Sequence, residues 1–111
     1  MRIVSWNSSR GAFEKKIPLV QALRPDLAVV QECARPKDEV PGCLWFGTNP
    51  RQGLAVLASD GWRVEVLPAR PEVPDYIVPV QVTGPRDFLL LAVWAKRDRV
   101  YPYVKAVFRA V

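Results

Sequence analysis

The sequence predicts an α/β (α+β) domain, a mostly antiparallel or mixed β-sheet with one helix after the first strand and another helix at the C-terminal end. Three observations predict it. A short strand opens the chain and is followed at once by apolar residues at helical spacing. Two continuous apolar runs, Leu27–Val30 and Phe88–Ala95, suit strands buried in a layered protein. Between them lie short apolar segments separated by Gly, Pro and Asn, the pattern of strands joined by turns.

In chain order, Arg2–Asn7 reads as the first strand, broken by the turn formers Ser8-Ser9-Arg10-Gly11. From Ala12 to Leu23 the apolar residues Phe13, Ile17, Val20 and Leu23 recur every three or four positions. Pro18 either kinks this helix or opens a shorter one near Ile17. Leu27-Ala28-Val29-Val30 is a strand closed by Gln31-Glu32, and residues 33–43, with Pro36, Pro41 and Gly42, form a loop. Leu44–Gly47 is a short strand, Thr48–Gln52 a turn and Gly53–Ser59 a further strand. Trp62–Leu67 alternates as a half-exposed strand does, and Pro68, Pro71 and Pro74 mark an extended connection. Tyr76–Val82 carries Pro79, which predicts an edge or a bulge. Phe88–Ala95 is the most apolar strand. Tyr101, Val104, Val107, Phe108 and Val111 then give a helical stripe with Pro102 in its first turn.

The composition narrows the chemistry. The 111 residues, 50% of them hydrophobic, fit one domain and exclude a disordered tail. No apolar run approaches the roughly 18 residues of a membrane-spanning helix, so no membrane insertion is expected. The N-terminus has no apolar signal segment. Histidine is absent, which removes imidazole bases and His-ligated metals, so a bound metal would be held by oxygen. Cys33 and Cys43 belong to no C-x-x-C, and reduced thiols in a cytoplasmic chain are the expectation, Cys33 as a packing residue. The formal net charge is +5. Residues 84–111 hold six basic against two acidic residues, a bias that fits a phosphate-rich partner as well as a solvated face.

Two positions carry the chemistry. Asn7 and Glu32 each end a strand, where α/β sheets hold ligands. A carboxylate directly after an apolar run needs a cation, hydrogen bonds or solvent. Mg²⁺ (or Mn²⁺) held by one or two carboxylates plus phosphate oxygens would satisfy it, and Asn7 offers a donor and an acceptor beside it. Taken singly, each also fits a plain turn residue or a solvated acid.

Together the strand Arg2-Ile3-Val4-Ser5-Trp6-Asn7, the segment Leu23-Arg24-Pro25-Asp26, the strand end Val30-Gln31-Glu32 and the strand Gln52-Gly53-Leu54-Ala55-Val56-Leu57-Ala58-Ser59 resemble the endonuclease/exonuclease/phosphatase superfamily of DNase I-like metal-dependent phosphoesterases. The resemblance implies a four-layer α/β sandwich, of which residues 1–111 match only the N-terminal half, as one apparently truncated domain. It implies a Mg²⁺-dependent hydrolase or nuclease with Glu32 as a metal ligand and Asn7 ordering the metal and phosphate site, both as catalytic residues. It also implies Arg10 as a phosphate contact and either Trp94 or Lys96 near the scissile phosphate. The family's Gly-Asp-x-Asn and Ser-Asp-His are not in this sequence. The expected chain therefore carries the metal-binding half, is inactive alone, and self-associates through an uncovered sheet face. The alternative is a non-catalytic module that binds nucleic acid or protein through its basic C-terminal third.

Overall fold

A computed structural model describes residues 1–68 and 77–94. The expected C-terminal helix and Lys96 lie outside the described residues. Within them the chain is an α+β fold with one helix and seven strands in two sheets. The elements are β1 (Ile3–Asn7), α1 (Phe13–Gln21), β2 (Leu27–Cys33), β3 (Cys43–Asn49), β4 (Gln52–Ala58), β5 (Arg63–Val66), β6 (Ile77–Thr83) and β7 (Phe88–Val93). The first sheet has the order β1-β2-β4-β3 and the second β5-β6-β7. Only the β1–β2 pair is parallel, joined through α1 as a parallel pair requires. Among the described residues no helix is long and apolar enough to cross a membrane.

Alternation along the strands sorts the core into two layers. Leu27, Val29, Leu54 and Val56 face Val80, Val82 and Ala92 of the second sheet and Trp94 just after it. Ala28, Val30 and Ala55, one position out of phase, face Phe13, Ile17 and Val20 of α1. The order of layers is helix, sheet, sheet. Leu27, Leu54, Val30, Val56, Val80 and Val82 are fully buried, each contributing about 1.5–3 kcal/mol through removal of its side chain from water. Trp94 lies in the inter-sheet layer, as a core residue.

Two features depart from the local pattern. The helix runs through Pro18 rather than starting at it. Pro18 is exposed, so the Glu14 carbonyl deprived of its N–H partner lies on the solvent side while Phe13, Ile17 and Val20 hold the helix down. Pro79 sits in a central strand, not at an edge or bulge. Its carbonyl accepts the Leu67 N–H at 3.0 Å, so the bonding side of Pro79 faces β5, which ends at Val66. The missing donor falls beyond the end of that strand and costs the ladder no strand bond. The apolar run of β7 has one bare face, in line with the uncovered sheet face expected along part of Phe88–Ala95. β7 is an edge strand whose Leu89 and Leu91 are 57% and 49% exposed, because they point away from both the first sheet and α1.

Candidate functional site

Strand direction brings the chemistry to one end of the molecule. β1 and β2 are parallel, β4 is antiparallel to β2, and β3 is antiparallel to β4. The C-terminal ends of β1, β2 and β3 and the start of β4 therefore share one rim. The end of β7 joins them, because the Gln31 side chain donates from Nε2 both to Ser5 Oγ, at 3.0 Å, and to the Val93 carbonyl, at 3.1 Å.

Glu32 reaches this rim through a β-bulge. The register pairs Val30 with Ala55 but Cys33 with Gly53, so Gln31 and Glu32 together oppose Leu54. In unbroken alternation Glu32 would follow Ala28 and Val30 toward α1, a dry layer lined by Phe13 and Ile17. The extra residue turns the carboxylate to the inter-sheet side and returns Cys33 to the helix side. The turn needs a left-handed backbone, and Glu32 has φ +54°. Ser9 and Arg10, opposite it in the β1–α1 loop, have φ +56° and +68°. Such conformations in non-glycine residues cost about 1–3 kcal/mol each and gather at functional sites.

Hydrogen bonds tie the two loops together. The buried Ser8 hydroxyl lies 3.0 Å from both the Gln31 and the Glu32 carbonyl oxygens. The backbone N–H groups of Ser8 and Arg10 donate to the same two carbonyls, each at 2.9 Å. Asn7 is directly across from Gln31, and its Oδ1 accepts the Ser9 N–H at 2.9 Å. One Glu32 oxygen, Oε1, accepts from Gln52 Nε2 at 2.7 Å. The structure thus ties the backbone of Asn7–Arg10 to the end of β2 that carries Glu32. Sequence reasoning missed Gln52 and Ser8. Gln52 is the polar residue that opens β4, and only the β2–β4 pairing shows that it faces Glu32.

The donor set gives a limited fit to a divalent cation. Glu32 Oε2 and the amide oxygen of Asn7, which also accepts the Ser9 N–H, are hard oxygen donors, suited to Mg²⁺ or Mn²⁺ that keeps several waters. No cluster of three or more His, Cys, Asp or Glu side chains exists among the described residues, so they make no all-protein cage. Exposed Arg10, Arg35 and Arg51 border the rim, Arg35 through its N–H to the Pro50 carbonyl at 2.7 Å. A groove of about 810 Å³ beside β3, lined by Arg35, Lys37, Asp38, Glu39, Trp45 and Gly47, does not include Asn7 or Glu32.

Cys33 is buried, which fits the packing reading, and Cys43 is half-buried. Burial pushes Cys33 and Cys43 up to about 11, which keeps them protonated and poorly nucleophilic at neutral pH. Glu14 has a structural task. Its Oε1 accepts the Lys37 N–H at 2.9 Å, and this bond, then its own backbone N–H, holds the carboxyl below its ordinary value. A lowered folded value means that the tie is present above the unfolded pKa and is lost as pH falls through the folded one. Hydrogen exchange should therefore show the Lys37 amide losing protection on acidification below the carboxylate's ordinary 4.5, and Glu14→Ala should show the same loss at neutral pH. Protection that is indifferent to both changes would overturn this assignment.

No family model matches the sequence, and no curated protein and no solved structure gives a match either.

Proposed function

We propose that this rim is the cation-binding end of a Mg²⁺-dependent phosphoester hydrolase site of the endonuclease/exonuclease/phosphatase kind. The observation that carries the reading is the bulge, which takes on left-handed strain to turn Glu32 to the rim instead of against α1. A bound Mg²⁺ or Mn²⁺ would neutralise charge on the phosphoryl oxygens. Glu32 would hold it through its carboxylate, Asn7 orders the loop by accepting the Ser9 N–H, and the exposed Arg10 guanidinium would contact phosphate. The 111 residues contain no histidine and no Gly-Asp-x-Asn to activate water. Lacking a general base and an electrostatic partner costs on the order of 10²–10⁴ in rate for each, so the chain alone is inactive. The exposed Leu89 and Leu91 support self-association of two copies, relieved by Leu89→Lys and read in a sedimentation experiment.

The test is a Mn²⁺ titration of the ¹⁵N-labelled chain. Paramagnetic broadening should begin at the amides of Asn7 and Glu32, while a phosphodiester assay in Mg²⁺ shows no turnover. Broadening confined to other acidic residues sinks the cation site. Glu32-dependent turnover at enzyme-like rates sinks the claim of inactivity. The second reading, a nucleic-acid-binding module, is favoured by the exposed Arg10, Arg35 and Arg51 on one rim. It requires oligonucleotide affinity that falls steeply with salt and needs no divalent cation.

A further inference from the structure

We infer that Gln52 is a positioning residue for Glu32, pinning one carboxylate oxygen so that only the other is presented to a divalent cation. This rests on the proposed cation site. Gln52 opens β4 on the same side of the sheet as Leu54 and Val56, the side to which the bulge turns Glu32. Its Nε2 donates to Glu32 Oε1 at 2.7 Å, at the short end for a charge-assisted bond. Both residues are half-buried, so the bond is only partly open to competition from water. A left-handed backbone alone aims Glu32 in direction but leaves its carboxylate free to rotate. The Gln52 amide removes that freedom.

The consequence is chemical as well as structural. With Oε1 already accepting the Gln52 N–H, Glu32 would present chiefly its other oxygen to a metal. That mode suits Mg²⁺ and Mn²⁺, which keep their waters and demand octahedral geometry, more than Ca²⁺, which accepts two oxygens of one carboxylate. Gln52 therefore sets selectivity for the smaller cation, in addition to affinity.

The test uses the full 111-residue chain, with Mn²⁺ followed by paramagnetic broadening and Ca²⁺ by amide shifts. Gln52→Ala should weaken Mn²⁺ binding by about 10–100-fold, as loss of an outer partner of a ligand does, and weaken Ca²⁺ binding less. Gln52→Asn keeps the amide but withdraws it by one methylene. It should give the same loss, and it decides the question if the alanine variant does not fold. In a Glu32→Gln background the Gln52→Ala change should have no further effect on Mn²⁺, because the two act as one unit. If Glu32→Gln leaves the broadening intact, the cation site itself is wrong. If Glu32→Gln abolishes it while both Gln52 variants keep wild-type affinity and wild-type Mn²⁺-over-Ca²⁺ preference, the site stands and the positioning role is overturned.

Discussion

Gly53→Ala should cost the folded state about 3 kcal/mol or more, at the severe end of overpacking substitutions. A Cβ at Gly53 would collide with Trp45 Cζ2 and lie 2.5 Å from the Phe46 carbonyl oxygen. The second contact is backbone in the adjacent strand β3 and cannot swing aside. The first is little easier. Trp45 donates from Nε1 to the Cys33 carbonyl at 2.9 Å, and the Arg35 guanidinium carbon lies 6.0 Å from its ring centroid. Moving the indole would therefore leave a part-buried carbonyl at the end of β2 without its donor. That carbonyl belongs to the residue after Glu32, so the damage reaches the rim. Urea unfolding checks this, since a lower midpoint at unchanged slope reads directly as lost stability. A loss below about 1 kcal/mol would mean that β3 and the indole move away freely, and the account of Trp45 as a fixed wall would be wrong.

The same residues show how far the sequence can be read. The apolar runs behind β2 and β4 were legible because burial on both faces leaves no polar interruption, and β1 was legible from its short apolar run and the turn formers after it. The position of Asn7 and Glu32 at the ends of β1 and β2 was legible for a similar reason, since polar residues close each apolar run. The direction of the Glu32 side chain was not. Strict alternation would send it toward α1, and the bulge that corrects this is a property of the β2–β4 pairing rather than of either strand. Gln52 was hidden by the same fact. Pro79 misled because its missing donor matters only where a neighbour needs it, and β5 has already ended there. β7 did not mislead: a sheet face left uncovered along part of Phe88–Ala95 is the expectation, and Leu89 and Leu91 are exposed there.

Glu32→Gly should raise stability while it abolishes cation binding, and the opposite signs are the signature of strain held for function. Glu32 has φ +54° inside a strand, a conformation that glycine adopts without steric penalty. Relief of a left-handed residue is worth about 1–2 kcal/mol. The greater backbone freedom of an unfolded glycine offsets about 0.5–1 kcal/mol of that gain. Loss of the hydrogen bond from Gln52 offsets more, but the Gln52 amide, half-buried at the rim, can turn to water in its place. A net gain of about 0.5 kcal/mol should remain, a melting point some 2–4 °C higher for a domain of this size. Glu32→Ala is the informative contrast. It removes the same carboxylate but keeps a Cβ, so it should lose cation binding equally and gain no stability. A residue that merely caps a turn would behave differently, because its removal would lower the melting point in both variants and leave Mn²⁺ broadening where it was. That outcome would return Glu32 to the role of a solvated strand end and remove the reason for reading the rim as a site.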